Sequence, residues 1–231
     1  MDRFSAASSR PARYPRATPL LVAAGWMAFI SSLFLLVAYA APYWLESYEE
    51  PRSETAFRRL GLWEVCFSRY MHPPYQYDEV FDGCHWIHGY YYQNIRDWLM
   101  PGWFMFTQAM LTLGLIFQLL ALIVLSLLLM RYLLRYEIVA LTAAFVLEAL
   151  TALLLFLGVS VFGGMAFSRQ WILYPNFNHL GWAYAFAVVA MFFHAFTACV
   201  VLKEAFNSKE RRRRDNNLVY NMQPRGEPVR Y

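Results

Sequence analysis

Four stretches of the chain are nearly free of charge and longer than a soluble core helix requires. Leu20 to Ala41 has no Asp, Glu, Lys or Arg in 22 positions, Pro101 to Met130 has none in 30, Ile138 to Ser168 has only Glu148, and Gln170 to Leu202 has none. About 20 apolar residues cross the roughly 30 Å hydrocarbon core of a bilayer, so each stretch is long enough to span. With 59% hydrophobic and only 16% charged residues in 231, the chain lacks the charge that a globular domain of this size needs to cover its surface. An integral membrane protein with spans at 20–41, 103–130, 138–163 and 181–202 is the expectation. The first stretch also has the outline of a signal peptide, with Arg3, Arg10, Arg13 and Arg16 ahead of it and Ala38, Tyr39 and Ala40 as a small-residue site. A cleavable apolar core is about 7 to 15 residues long, so a retained helix is the better reading; cleavage after Ala40 would leave three spans.

The charges sit between the spans. The tail 1–19, the link 131–137 and the tail 203–231 hold 14 of the 20 Lys and Arg residues. Basic residues in short flanking segments mark the cytoplasmic side, which places both termini inside and the segments 42–102 and 164–180 outside. The stretch from Pro42 to Met100 has five arginines against nine acids, a net of −4, whereas the cytoplasmic segments carry +8. The overall charge of +4 therefore gives no reason to expect a nucleic-acid partner.

The large outer segment reads as sheet. Aromatic and β-branched residues predict strands near Tyr43 to Tyr48, Thr55 to Leu60, Leu62 to Ser68 and Cys84 to Tyr90, interrupted by Pro73 and Pro74. About 60 residues are few for an independent core, so the sheet needs a covalent staple and a platform. Cys66 and Cys84 are the two cysteines on the oxidising side of this topology, and pairing them closes a loop worth about 3 kcal/mol; an inverted topology would leave two free thiols. His72, His85 and His88 lie nearby. Zinc wants three or four ligands in fixed geometry, and His85 and His88 in an alternating strand point to opposite faces, so surface histidines are expected and no metal or other cofactor is implied.

Trp44 after the first span, then Gly61, Leu62 and Trp63, then Cys66 and Cys84 form a W…GLW…C…C series. This series resembles the signature of the claudins and of their wider superfamily with the peripheral myelin protein 22 and epithelial membrane protein group. Arg96 resembles the arginine that claudins carry in a short extracellular helix before the second span. The resemblance implies a four-helix transmembrane bundle topped by a small extracellular antiparallel sheet, with four strands from the first loop and one from the second. The 17 residues between Cys66 and Cys84, including Pro73, Pro74, Tyr75, Tyr77 and three acids, resemble divergent claudin-like proteins of invertebrate septate junctions more than tight-junction claudins.

From the residues themselves, Trp44 and Trp63 are expected to anchor the sheet at the wet and apolar boundary that indole rings favour. Gly61 permits close backbone approach, and Leu62 offers an apolar side chain to the helix tops. Glu148 is the one formal charge inside a span, and an intramembrane carboxylate is a functional candidate by default. Its available polar neighbours are His194, Gln108 and Gln118, and a protonated or hydrogen-bonded structural role is favoured over ion transport. Gly181 with Ala185 and Ala183 with Ala187 have the spacing of close helix contacts. Cys199, at the cytoplasmic boundary, suits S-palmitoylation or simple burial. Arg211 to Arg214 suit an anionic leaflet, the tail from Ser208 reads as disordered, and Val229 to Tyr231 is a weak pattern for a PDZ scaffold.

No nucleophile, metal or phosphate-loop pattern points to an enzyme. The resemblance implies a junctional plasma-membrane protein that associates with itself and with other claudin-like proteins, in cis and in trans, to form a paracellular barrier. The alternative it leaves open is an adhesion protein or channel auxiliary subunit of the peripheral myelin protein 22 type. The negative outer segment predicts that any leak favours cations.

Overall fold

The computed structural model describes residues 17–48, 57–72, 80–171 and 175–222, with side chains as far as 217. The N-terminal arginines, Thr55, the insert residues Pro73, Pro74, Tyr75, Tyr77, Asp78 and Glu79, and Val229 to Tyr231 lie outside the described residues.

Thr18 starts the first helix, its Oγ1 accepting from the Leu21 amide at 3.2 Å with Pro19 in the first turn, where a missing N–H costs nothing. This helix, α1, covers Pro19–Ala40. Four strands follow: β1 Leu45–Ser47, β2 Phe57–Leu60, β3 Glu64–Tyr70 and β4 Phe81–Trp86. A short helix, α2, Arg96–Leu99, leads through Pro101 into α3, Gly102–Leu129. Glu137 in the first turn favours the start of α4, Glu137–Met165, by its charge against the helix dipole. Strand β5, Asn178–Leu180, precedes α5, Trp182–Met222.

Four of these helices, α1, α3, α4 and the first half of α5, are long and apolar enough to cross a membrane. They form a closed ring, α3 on α4, α4 on α5, and α1 on both α5 and α3. Exposed Trp26, Phe29, Phe192 and Phe196 cover its outside, the arrangement that lipid rather than water tolerates. Ala183, Ala187 and Ala190 are fully buried and let α5 approach its neighbours. The expected pairing of Gly181 with Ala185 does not form a helix contact: Ala185 is exposed, and Gly181 precedes α5 and packs against Tyr43 and Glu46.

The sheet is antiparallel in the order β4-β3-β2-β1-β5. Its strands are shifted from those expected. The third begins at Glu64 because Gly61, Leu62 and Trp63 make the turn, and the fourth ends at Trp86, since Tyr90–Tyr92 winds into a 3-10 turn. Leu180, Leu45, Leu60 and Val65 lie opposite one another across four strands and form the apolar face on the helix tops. The tail also departs from expectation, because α5 continues through 41 residues instead of fraying near Ser208.

Candidate functional site: the sheet and its joint to the helices

The residues of the W…GLW series meet at the top of α1. Trp44 is completely buried, its ring edge-on to Phe162 of α4 and Tyr184 of α5, and its Nε1 donates to the Ala38 carbonyl at 2.7 Å. It is an interior wedge between strand and bundle, which corrects the expectation of a bilayer anchor: the indole that prefers a mixed boundary finds one inside the protein. Gly61 lies so close to the end of α1 that a Cβ there would stand 2.5 Å from Pro42 Cα and 2.8 Å from the Ala41 carbonyl oxygen. Leu62 is fully buried, and its carbonyl accepts from Gln108 Nε2 of α3 at 2.6 Å. Gln108 thus completes the joint, a role that composition did not signal beyond its being a polar residue within a span. Trp63, half-buried, packs on Tyr39 of α1 and on His88.

Arg96, at the start of α2, donates to the carbonyls of Gly89 at 2.8 Å and His88 at 3.2 Å, and so closes the turn after β4. His72 is buried, not at the surface as expected: Tyr70 and His72 share a 2.8 Å hydrogen bond, and both rings pack on Trp98. Burial lowers the His72 pKa and raises that of Tyr70. His88 is lowered too, first by burial and then by the Arg96 charge.

The opposite face of the sheet carries one row from edge to edge, His179, Glu46, Arg59, Cys66 and Cys84, each directly across from the next. Cys66 and Cys84 are joined by a disulfide. Arg59 lies over it, with Nε 3.2 Å from Cys66 Sγ and one Nη 3.6 Å from Cys84 Sγ, while its guanidinium covers the Tyr43 ring at 4.6 Å and bonds the Tyr43 hydroxyl. Glu64, Cys66 and Cys84 are close enough to resemble a metal cluster, but the disulfide leaves no thiolate to ligate one. The row floors an open hollow of about 470 Å³, rimmed by Ser47, Tyr48 and Arg58.

A second polar feature crosses the bundle. Glu148 of α4 and His194 of α5 are fully buried, with Oε2 2.8 Å from Nδ1, and Ser31 of α1 lies 3.3 Å from the same nitrogen. Gln118 of α3 bonds Ser32 and donates to the Ala28 carbonyl at 3.1 Å. This layer separates two apolar clusters, one beneath the sheet and one toward the tail. Each partner satisfies part of the other's polarity, which apolar surroundings otherwise penalise heavily. Cys199 is exposed on α5 as a free thiol.

A four-span bundle with a disulfide-stapled sheet mounted on it defines a class of multi-pass membrane protein. The chain matches the family described as PMP-22/EMP/MP20/claudin tight junction over residues 29–203, and it belongs to that family. No individually curated protein matches it.

Proposed function

We propose that this chain is a claudin-like junction protein whose sheet faces the extracellular space and assembles with copies of itself and with other junctional membrane proteins to form or organise a paracellular barrier, of septate or tight type. The observation that carries this reading is the mounting of the sheet. Wedge, glycine contact and amide bond fix the sheet to all four spanning helices, so force or position transmitted between neighbouring cells passes from sheet to membrane without a flexible linker. The open hollow on the outer face is the surface offered to partners. Both termini are cytoplasmic in this reading, Glu148 with His194 is a structural bond between spans, and Cys199 is an acylation site at the inner boundary.

Expression of the tagged protein in a polarised epithelium tests it. A lateral junctional band with raised transepithelial resistance is the expected result. Diffuse or endosomal signal with unchanged resistance would instead favour the adhesion or auxiliary-subunit role. Cys66→Ser and Trp63→Ala are expected to reduce delivery to the junction, because the sheet loses its staple or its packing on α1.

A further inference from the structure

We propose that the tail end of the bundle holds a slot for the phosphorylated headgroup of an inner-leaflet lipid, between the start of α4 and the projecting part of α5. Helix α5 runs 41 residues, about 60 Å at 1.5 Å per residue, which is twice the roughly 30 Å of hydrocarbon. Its second half therefore stands beyond the lipid core. The root of that half is fixed in place. Glu204, 1% exposed, accepts from the Thr18 hydroxyl at 2.8 Å and from Arg211 at 2.7 Å. The buried Ser208 hydroxyl donates to Glu137 at 3.0 Å and accepts from Arg211 at 2.6 Å.

The Ser208–Glu137 bond also marks depth. Glu137 opens α4 immediately before apolar Ile138, so this level is the edge of the hydrocarbon. Arg211 and Arg212 come one turn later, about 5 Å further out, within the headgroup layer. An open hollow of about 370 Å³ lies there, with Leu134 and Ile138 as apolar lining, Arg135, Arg211 and Arg212 as basic lining, and Glu137 and Asp215 as its acids.

The acids do not cancel the basic lining. Glu137 is already engaged by Ser208 and lies 3.9 and 3.8 Å from Arg131 and Arg211. Arg135 and Arg212 make no ion pair among the described residues, and they face the hollow with Asp215 as the remaining acid. A free phosphate has no use for the apolar lining. A glycerolipid does, since its acyl chains run along Leu134 and Ile138 while its headgroup meets the arginines; basic pockets between spans on the cytoplasmic side are suited to such headgroups.

The proposal rests on the cytoplasmic placement of the tail put forward above. The test titrates the full-length protein in nanodiscs with dioctanoyl phosphatidylinositol bisphosphate and follows thermophoresis. Saturable binding is expected, weakened about 30-fold by Arg135→Gln with Arg212→Gln, the loss of two headgroup charges. Arg213→Gln with Arg214→Gln, outside the hollow, is expected to weaken it less than about threefold. Equal losses in the two double variants, absence of saturation, or equal occupancy by dioctanoyl phosphatidylserine or inorganic phosphate overturns the slot. Antibody access to a C-terminal epitope on intact cells separately overturns the placement, and leaves the binding measured in nanodiscs as it was.

Discussion

At the sheet end of the bundle, Trp44, Gly61 and Leu62 are joined to the helices by shape and by neutral hydrogen bonds, the indole to Ala38 and the Gln108 amide to Leu62. At the tail end, Thr18, Glu137, Glu204, Ser208 and Arg211 are joined by charged groups, with Arg211 half exposed. Neutral buried contacts are indifferent to salt and fail only when atoms are removed or added. Charged contacts near water weaken as ions screen them. The same four helices therefore carry a fixed joint at one end and an adjustable one at the other.

Breaking the fixed joint should have the largest effect. Trp44→Ala removes the wedge from contact with two helices and is expected to cost about 3 to 5 kcal/mol. Gly61→Val should be at least as severe, because the atoms its Cβ meets are backbone atoms of Pro42 and Ala41, which have no rotamer by which to give way. Both variants are expected to be retained inside the cell, and thermal unfolding of detergent-purified protein should show a lowered midpoint at every ionic strength. An unchanged midpoint for Gly61→Val would mean that the joint is looser than its geometry.

The tail joint should respond less, and differently. Arg211→Gln leaves Glu204 with the Thr18 hydroxyl as its bonded donor, and the expected cost is about 1 kcal/mol at low salt. Because Arg211 is half exposed, that cost should shrink as sodium chloride rises toward 1 M, where the Debye length is about 3 Å. Unfolding midpoints of wild type and variant measured across a salt series check this: curves that stay parallel would place the Arg211 contribution in packing.

These two joints differ also in how far the sequence reveals them. Uncharged blocks announce the spans because lipid penalises charge at each position independently of partners. The sheet is harder to read. Tyr90 and Tyr91 have strand-forming side chains, but the chain after Gly89 winds into a 3-10 turn that Arg96 closes through two carbonyls, a contact between separate segments. Trp44 is equally at home at a bilayer surface or inside a protein, so its position is decided by Phe162 and Tyr184, more than a hundred residues away. Gln108 follows the same rule, since its partner is a backbone carbonyl, invisible to any motif. The extension of α5 is masked by its polarity. Partners such as Arg214 with Glu210, one turn apart, support helix without any apolar face.

At the sheet end, the buried His72 sharpens the comparison. Burial holds the His72 pKa below its ordinary 6.5. An unfolded chain takes up a proton near 6.5 that the folded sheet refuses until lower pH. Stability is therefore full above 6.5, falls as pH drops from there toward the lowered folded value, and levels off below it. His72→Gln is expected to flatten that part of the profile, and unfolding midpoints between pH 5 and 8 report it. An identical acid loss in the variant would assign the titration to another group.

The smallest expected effect concerns charge selection at the outer face. On the proposed topology, the net charge of −4 over 42–100 would favour cations in an aqueous path along the sheet, yet the described face is mixed: Arg58 and Arg59 stand with Glu46, Glu64 and His179 near the disulfide. A cation preference must then draw on acids beyond the face, among them Asp82, which is exposed beside β3 and accepts from the Arg69 amide at 3.2 Å, and its sequence neighbours Asp78 and Glu79. Neutralising the three acids together should lower the cation-to-anion permeability ratio, about two- to threefold for a narrow path that focuses their field. Arg59→Gln should move the ratio the other way, since the guanidinium held over Tyr43 is the fixed positive charge at the centre of the row. Dilution potentials across expressing cell layers measure both. If the triple variant leaves the ratio unchanged while resistance stays high, the acids serve partner binding in a seal without a selective path, and the outer face, like the joint beneath it, works through shape more than through charge.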